Sequence, residues 1–145
     1  MPIKNFSTSI DSYKTITEIQ QLLAKRGAQK ISIDNNAEGQ PCALSFLMLW
    51  DTQPVAYMLP CNFQGILRAM QKDRKVSRSQ CTTEQALRVG WRILKDWVAA
   101  QMAIIEAEAA TLPQVFLPYA VTNNGKTVYE TVAERKNDLL QLTQG

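Results

Sequence analysis

One predicted helix constrains most of what this chain can become. Residues 82–110 read TTEQALRVGWRILKDWVAAQMAIIEAEAA, with no proline, and Thr82 followed by Gln85 forms a capping-box pattern at the start. At ~1.5 Å per residue this helix spans roughly 42 Å. A compact domain of this length has a radius of gyration of only about 15 Å, so the helix must cross it fully or overhang it. Two apolar stripes run along the helix. Leu87, Trp91, Leu94, Val98, Met102 and Ile105 form the first; Ala86, Val89, Ile93, Trp97, Ala100 and Ile104 form the second. The remaining face carries Arg88, Arg92 and Lys95 near the N-terminal end. One sheet face cannot satisfy a helix this broadly apolar. It is either sandwiched within the domain or shared with a second subunit.

The rest of the chain supplies what could sandwich it. Residues 3–10 alternate imperfectly and read as a first strand. A helix over 15–26 follows, with Thr15 and Glu18 as a capping box, Ile16, Ile19, Leu22 and Leu23 on one face, and Gly27 just past the end. Strands are expected at 30–34, 43–50 and 55–59, separated by the turn clusters NNAEGQP and DTQP. The run ALSFLMLW at 43–50 is nearly continuous in apolar residues and reads as the central strand. Asn62 caps a short helix over 63–72 whose inward face is Phe63, Ile66, Leu67 and Met70. KDRKVSRSQC is an exposed basic loop, and LPQVFLPYAV is a turn or short helix leading into an extended piece. Thr127 and Glu130 open a terminal helix over 127–142, with Val128, Val132, Leu139 and Leu140 as its contacts. The expected fold class is therefore α+β: a single domain over 1–145, with an antiparallel sheet of about four strands in the order β-α-β-β-β. Helices 15–26 and 83–110 pack on that sheet.

Composition removes several function classes. The 145 residues contain no histidine, which excludes Ser-His and Cys-His nucleophile pairs and histidine-ligated metal sites. Cys42, Cys61 and Cys81 are odd in number and widely spaced, so they form neither a zinc framework nor a disulfide scaffold and read as reduced thiols. Asp34, Glu38, Asp51, Glu106 and Glu108 form no paired set for acid–base work. No apolar run approaches the length of a membrane span, and the N-terminus has no signal-like segment. The expectation is a cytoplasmic, non-enzymatic protein with no cofactor and no metal.

The strongest candidate for chemistry is a basic segment. From Arg68 to Lys95 there are eight basic residues against two acidic ones, Asp73 and Glu84. That is a balance of +6 in a chain whose net charge is +3, so the remaining residues sum to −3. If the loop folds over the start of the long helix, Arg74, Lys75, Arg78, Arg88 and Arg92 form one patch. Guanidinium forks and free backbone N–H groups there would suit phosphate groups. A solvated, salt-tolerant surface is the alternative reading. A small nucleotide would additionally need an aromatic to stack on, with Phe63, Trp91 and Tyr57 as candidates against their reading as core. Gly65 and Gly90, each alone in a predicted helix, read as close-packing points rather than a phosphate loop.

Several phrases resemble one another's context in a known group: IKNFST, ALRVGWRILKDWVAAQMAIIEA, QVFLPY and GKTVYE. Over residues 3–130 the chain resembles a family of small uncharacterised proteins encoded by bacteriophages, prophages and mobile elements. The resemblance implies a mobile-element origin and a cytoplasmic setting, and it assigns no catalytic or binding residue. The expected function is a binding protein whose surface at 68–95 holds phosphate groups, most simply of DNA or RNA. A nucleotide-sequestering protein, or a module acting on a host factor, is the alternative. The second apolar stripe offers a homodimer contact through the long helix, unless residues 112–121 cover it. On this reading, charge reversal at Arg88 and Arg92 spares folding but damages the activity, as circular dichroism and a binding assay would show.

Overall fold

The computed structural model describes residues 3–143. The chain runs α1 (Ser12–Lys25), β1 (Gln29–Asn35), β2 (Pro41–Trp50), β3 (Gln53–Pro60), α2 (Phe63–Lys72), α3 (Thr83–Glu106), α4 (Leu112–Phe116), α5 (Val128–Glu134) and α6 (Lys136–Leu139). Two 3-10 turns intervene at Arg78–Gln80 and Leu117–Tyr119. The architecture is α+β, with a three-stranded antiparallel meander in the order β1-β2-β3.

Residues 3–10 do not form the expected fourth strand. Two turns replace it: the Phe6 N–H donates to the Ile3 carbonyl, the Thr8 N–H donates to that of Asn5, and Asn5 adopts φ 64°. Asparagine is one of the few residues that enters the left-handed region at low cost. The segment's free carbonyls are satisfied by α3 instead of a strand. Gln85 Nε2 donates to the carbonyls of Phe6 (3.0 Å) and Thr8 (2.9 Å), and the Ile3 N–H donates to Asp73. The imperfect alternation thus reflects an anchored turn, with Ile3 and Phe6 touching the core.

Helix α1 starts earlier than its capping-box pattern indicates. Asp11 is the N-cap and accepts from the Tyr13 N–H, while Thr15 lies inside the helix and is fully buried. The C-terminus closes as read. Gly27 takes φ 96°, and the Gly27 and Ala28 N–H groups return to the carbonyls of Ala24 and Leu23. Asn62 caps α2 through the Gly65 N–H, as the sequence indicates.

β2 and β3 pair in unbroken register, whereas the β1–β2 pairing shifts between Gln29 and Ser32 and between Asp34 and Asn35. Leu44 pairs with Leu59, Phe46 with Tyr57 and Met48 with Val55, and these side chains face the helices. Tyr57 stacks on Phe46 at 5.2 Å, and Phe116 joins both edge-on before meeting Trp97 of α3 at 5.5 Å. The 112–119 segment therefore bridges the sheet to the long helix. It ends in a single bridge from Ala120 to Tyr57, which covers part of the free edge of β3. The Tyr57 hydroxyl is buried with no hydrogen-bond partner among the described residues, and burial raises its pKa.

Helix α3 begins at the Thr82 cap but ends at Glu106, short of residue 110. The Glu108 and Ala109 N–H groups return to the carbonyls of Ile105 and Ile104, and Glu108 takes φ 58°. This closure is the one glycine usually makes; no glycine marks it in the sequence, and alanine-rich residues on both sides hide the stop. The terminal helix is also shorter than expected. Thr127 and Glu130 make a complete capping box, but the chain breaks at Arg135 and leaves Leu139 and Leu140 exposed. The Glu130 carboxyl is held below its usual range first by the Thr127 N–H and then by its hydroxyl.

Packing of α2 on α3 depends on Gly90. A Cβ there would lie 2.9 Å from the Cys61 sulfur, which is buried, and 3.6 Å from Ile66. Gly90→Ala should lower stability by about 1 kcal/mol in denaturant unfolding, because overpacking outweighs the gain of about 1 kcal/mol in helix propensity. In a Cys61→Ala background the same substitution should be neutral or stabilising. An equal loss in both backgrounds would show that the sulfur is not the obstacle.

Candidate nucleic-acid interface

The basic segment divides into two parts with different environments. Arg68, Lys72, Arg74, Lys75 and Arg78 lie on the C-terminal half of α2 and the loop after it, and all five are exposed. None of them enters an ion pair among the described residues. Val76 is buried and pins this loop to the core, so its charged neighbours are held on an anchored turn rather than a free excursion. The only acid within the stretch, Asp73, accepts from the backbone N–H groups of Ile3 (3.2 Å) and Lys75 (2.9 Å). It serves the loop's geometry.

Arg88 and Arg92 project from α3 and are engaged. Arg92 Nη1 lies 2.5 Å from Glu18 of α1 and 3.4 Å from the buried Thr15 hydroxyl, and its side chain is 16% exposed. It is a tie between helices, and the structure does not bring it together with Arg74, Lys75 and Arg78. Arg88 is intermediate. Its Nη1 donates to Gln85 Oε1 at 2.9 Å, and Glu84 lies 4.0 Å from its Nη2. Arg88 opens onto a hollow of about 430 Å³ lined by Ser7, Thr8, Ser9, Ser79, Gln80, Thr82 and Gln85. Arg78 lines a separate hollow of about 410 Å³ with Gln71, Val76 and Cys81. The loop therefore does meet the start of α3, but through polar uncharged groups.

The residues proposed to stack on a nucleotide are all core. Tyr57 and Trp91 are fully buried and Phe63 is nearly so. The Trp91 indole Nε1 donates to the Pro41 carbonyl at 3.1 Å. A nucleotide pocket thus loses these three side chains as a stacking platform. Gln85 is the residue that sequence reasoning undervalued. It appears as a capping partner, yet its side chain turns away from the cap to hold residues 6 and 8 and to orient Arg88. Only the distant contact reveals that role.

Other chemistry is sparse among the described residues. No group of three or more His, Cys, Asp or Glu is arranged to hold a metal ion, and no helix is long and apolar enough to cross a membrane. Asp11, Glu38 and Glu84 share a polar hollow with Arg88, Ser12, Tyr13 and Gln40. Cys61 has its pKa pushed up to about 12, first by burial and then by Cys42, so it is no nucleophile at neutral pH. The second apolar stripe of α3 is largely used within the chain: Ala86 and Val89 are buried, and Trp97 packs on Phe116 and Tyr119. Ala100 and Ile104 remain exposed. Comparison with known proteins finds no matching family model, no matching curated protein and no matching solved structure.

The geometry changes what a charge reversal at Arg92 tests. Arg92→Glu would set a carboxylate against Glu18 in a half-buried contact, so its effect falls on folding. Arg92→Ala should cost about 1–3 kcal/mol in chemical unfolding, because it strands Glu18. The Arg92→Ala/Glu18→Ala pair should recover part of that loss. Independent, additive losses would mean that the contact carries no coupling.

Proposed function

We propose that this chain is a non-enzymatic mobile-element protein that binds the phosphates of nucleic acid through the surface formed by α2 and the loop after it. The observation that carries this reading is the run of five exposed cations from Arg68 to Arg78, without ion-pair partners, on a turn anchored by Val76. Surface cations of this density commonly have carboxylates interspersed, and the one present here is occupied by backbone N–H groups. The resemblance of residues 3–130 to phage- and prophage-encoded proteins supports the mobile-element setting and a cytoplasmic location.

The mechanism is counterion release. Each phosphate neutralised by a lysine or arginine frees a condensed cation, so affinity falls with salt and reads no base sequence. Arg74, Lys75 and Arg78 make the central contacts, with Arg68 and Lys72 extending the track along α2. Arg88 stands at the edge of this surface, and the hydroxyls beside it can accept or donate to a phosphate or a sugar. Arg92 has no part in it. A nucleotide-sequestering protein has less support, because its stacking residues are buried. A module acting on a host factor through α3 would have Ala100 and Ile104 as its exposed apolar positions, as would a dimer through that helix.

Fluorescence anisotropy with single- and double-stranded DNA and RNA at low salt tests the reading. Three to five neutralised phosphates give a log–log salt slope of roughly −2 to −4.5. Arg74→Glu/Lys75→Glu/Arg78→Glu should abolish binding and leave the thermal midpoint within a few degrees, because all three side chains are exposed. Absence of binding to every nucleic acid at low salt would end the proposal.

A further inference from the structure

The sheet has two faces, and α1, α2 and α3 pack on one. The pairs Ala43–Pro60, Ser45–Met58, Leu47–Ala56 and Leu49–Pro54 point to the side opposite Leu44, Phe46, Met48, Tyr57 and Leu59. An antiparallel sheet packed on one side normally alternates apolar inward with polar outward. Here β2 and β3 break that rule, since Ser45 is the one polar residue among these eight outward positions. Neither Leu47, Leu49, Ala56 nor Met58 joins the core or packs against it, and Leu49 is 51% exposed. Nearly continuous apolar strands of this kind belong to sheets covered on both faces.

The open face continues onto a second wall. Met58 and Pro60 line a hollow of about 480 Å³ with Pro118, Tyr119, Thr127, Tyr129 and Glu130. Tyr129 is 67% exposed beside it. The sheet face and this wall make one apolar surface with the carboxylates of Asp34 and Glu130 on its margin.

We infer that this surface is the interface of a symmetric homodimer, in which two sheets stack outer face to outer face. Charge favours a second copy as the occupant. The outward positions of β2 and β3 carry no charged residue, and Asp34 of the edge strand β1 and Glu130 lie at the periphery. Two identical faces can therefore meet without opposing like charges at their centre, as an isologous contact requires. The five-cation surface lies outside the contact, on α2 and its loop.

The area is sufficient. Strands of eight residues at ~3.4 Å rise, three across at ~4.8 Å, project about 400 Å². The exposed part of Tyr129 adds roughly 100–170 Å². Two copies then bury on the order of 1,000–1,200 Å², at the threshold for a specific interface. Aligned stacking at about −30° with the sheets ~10 Å apart is the packing mode available to such faces. Area alone does not set the affinity of such a contact, so association is read over a wide concentration range. The inference is independent of nucleic-acid binding, since it uses none of the basic residues.

Sedimentation velocity of the full chain over about 1–300 µM tests it, the range in which a micromolar dimer dissociates. The wild type should pass from monomer to dimer. Leu47→Lys places two ammonium groups in the contact and should weaken it at least about tenfold, with unchanged far-ultraviolet circular dichroism. Leu49→Lys, at a half-exposed position near the hairpin tip, should act in the same direction and serves if Leu47→Lys does not fold. Ile104→Lys, on the exposed end of the long helix, should leave the dimer intact. A monomer throughout the range overturns the inference. So does a dimer indifferent to the sheet variants, or one lost in Ile104→Lys, which would assign the contact to α3.

Discussion

The structure depends on seating α3 against the central strand, and Trp91 is where that contact is fixed. The side chain is fully buried, and a buried indole N–H without a partner would be costly. The Pro41 carbonyl, at the start of β2, supplies the partner. This bond ties α3 to the start of β2, alongside the packing of α3 on α1 and α2. Once it is set, Val98 and Met102 on the same stripe become buried, Gly90 meets Cys61, and Trp97 turns toward Phe116. Each large apolar side chain so buried contributes about 1.5–3 kcal/mol against chain entropy. The helix is the organising element because it touches α1, α2 and the 112–119 segment at once.

Seating α3 in this way also sorts the charges. Arg92 falls opposite α1 and is neutralised by Glu18, and Arg88 falls between Gln85 and Glu84. The cations before the helix meet no such partners among the described residues; the turn that carries them is held by Val76, by bonds to the Asp73 carboxylate and by its own backbone bonds. A segment that looks uniformly basic in sequence therefore becomes a structural half on α3 and an available half on α2 and the loop. The proposed phosphate contacts follow from that division, with affinity drawn from long-range electrostatics and little from shape.

The sheet shows the same economy on its other side. The buried core joins α1, α2 and α3 to the face bearing Phe46 and Tyr57, and the opposite face keeps its leucines, methionine and prolines, with α5 beside only Met58 and Pro60. A domain with one open apolar sheet face and one open basic surface has two independent places to meet other molecules. Stacking the sheets would present two basic surfaces on one particle and raise its effective affinity for a long polyanion without a new contact.

Local periodicity determined a good deal here. The α+β class, the central position of β2, α2 with its Asn62 cap, the Schellman closure at Gly27 and the capping box at Thr127 are all set by residues within a few positions of one another, so they are legible in the chain. Tertiary contacts decided the rest. Residues 3–10 became a turn because Gln85, far along the chain, takes their carbonyls. Two local features were instead masked by their neighbours: the C-terminus of α3 closed at Glu108 without a glycine, and Asp11 displaced Thr15 as the cap of α1. Arg92 left the candidate site and the aromatic residues entered the core because Glu18 and Pro41 lay opposite them. Sequence spacing fixes which face of an element a side chain occupies. Which partner that face meets, and so whether a charge is free or an aromatic accessible, is fixed only when distant elements pack.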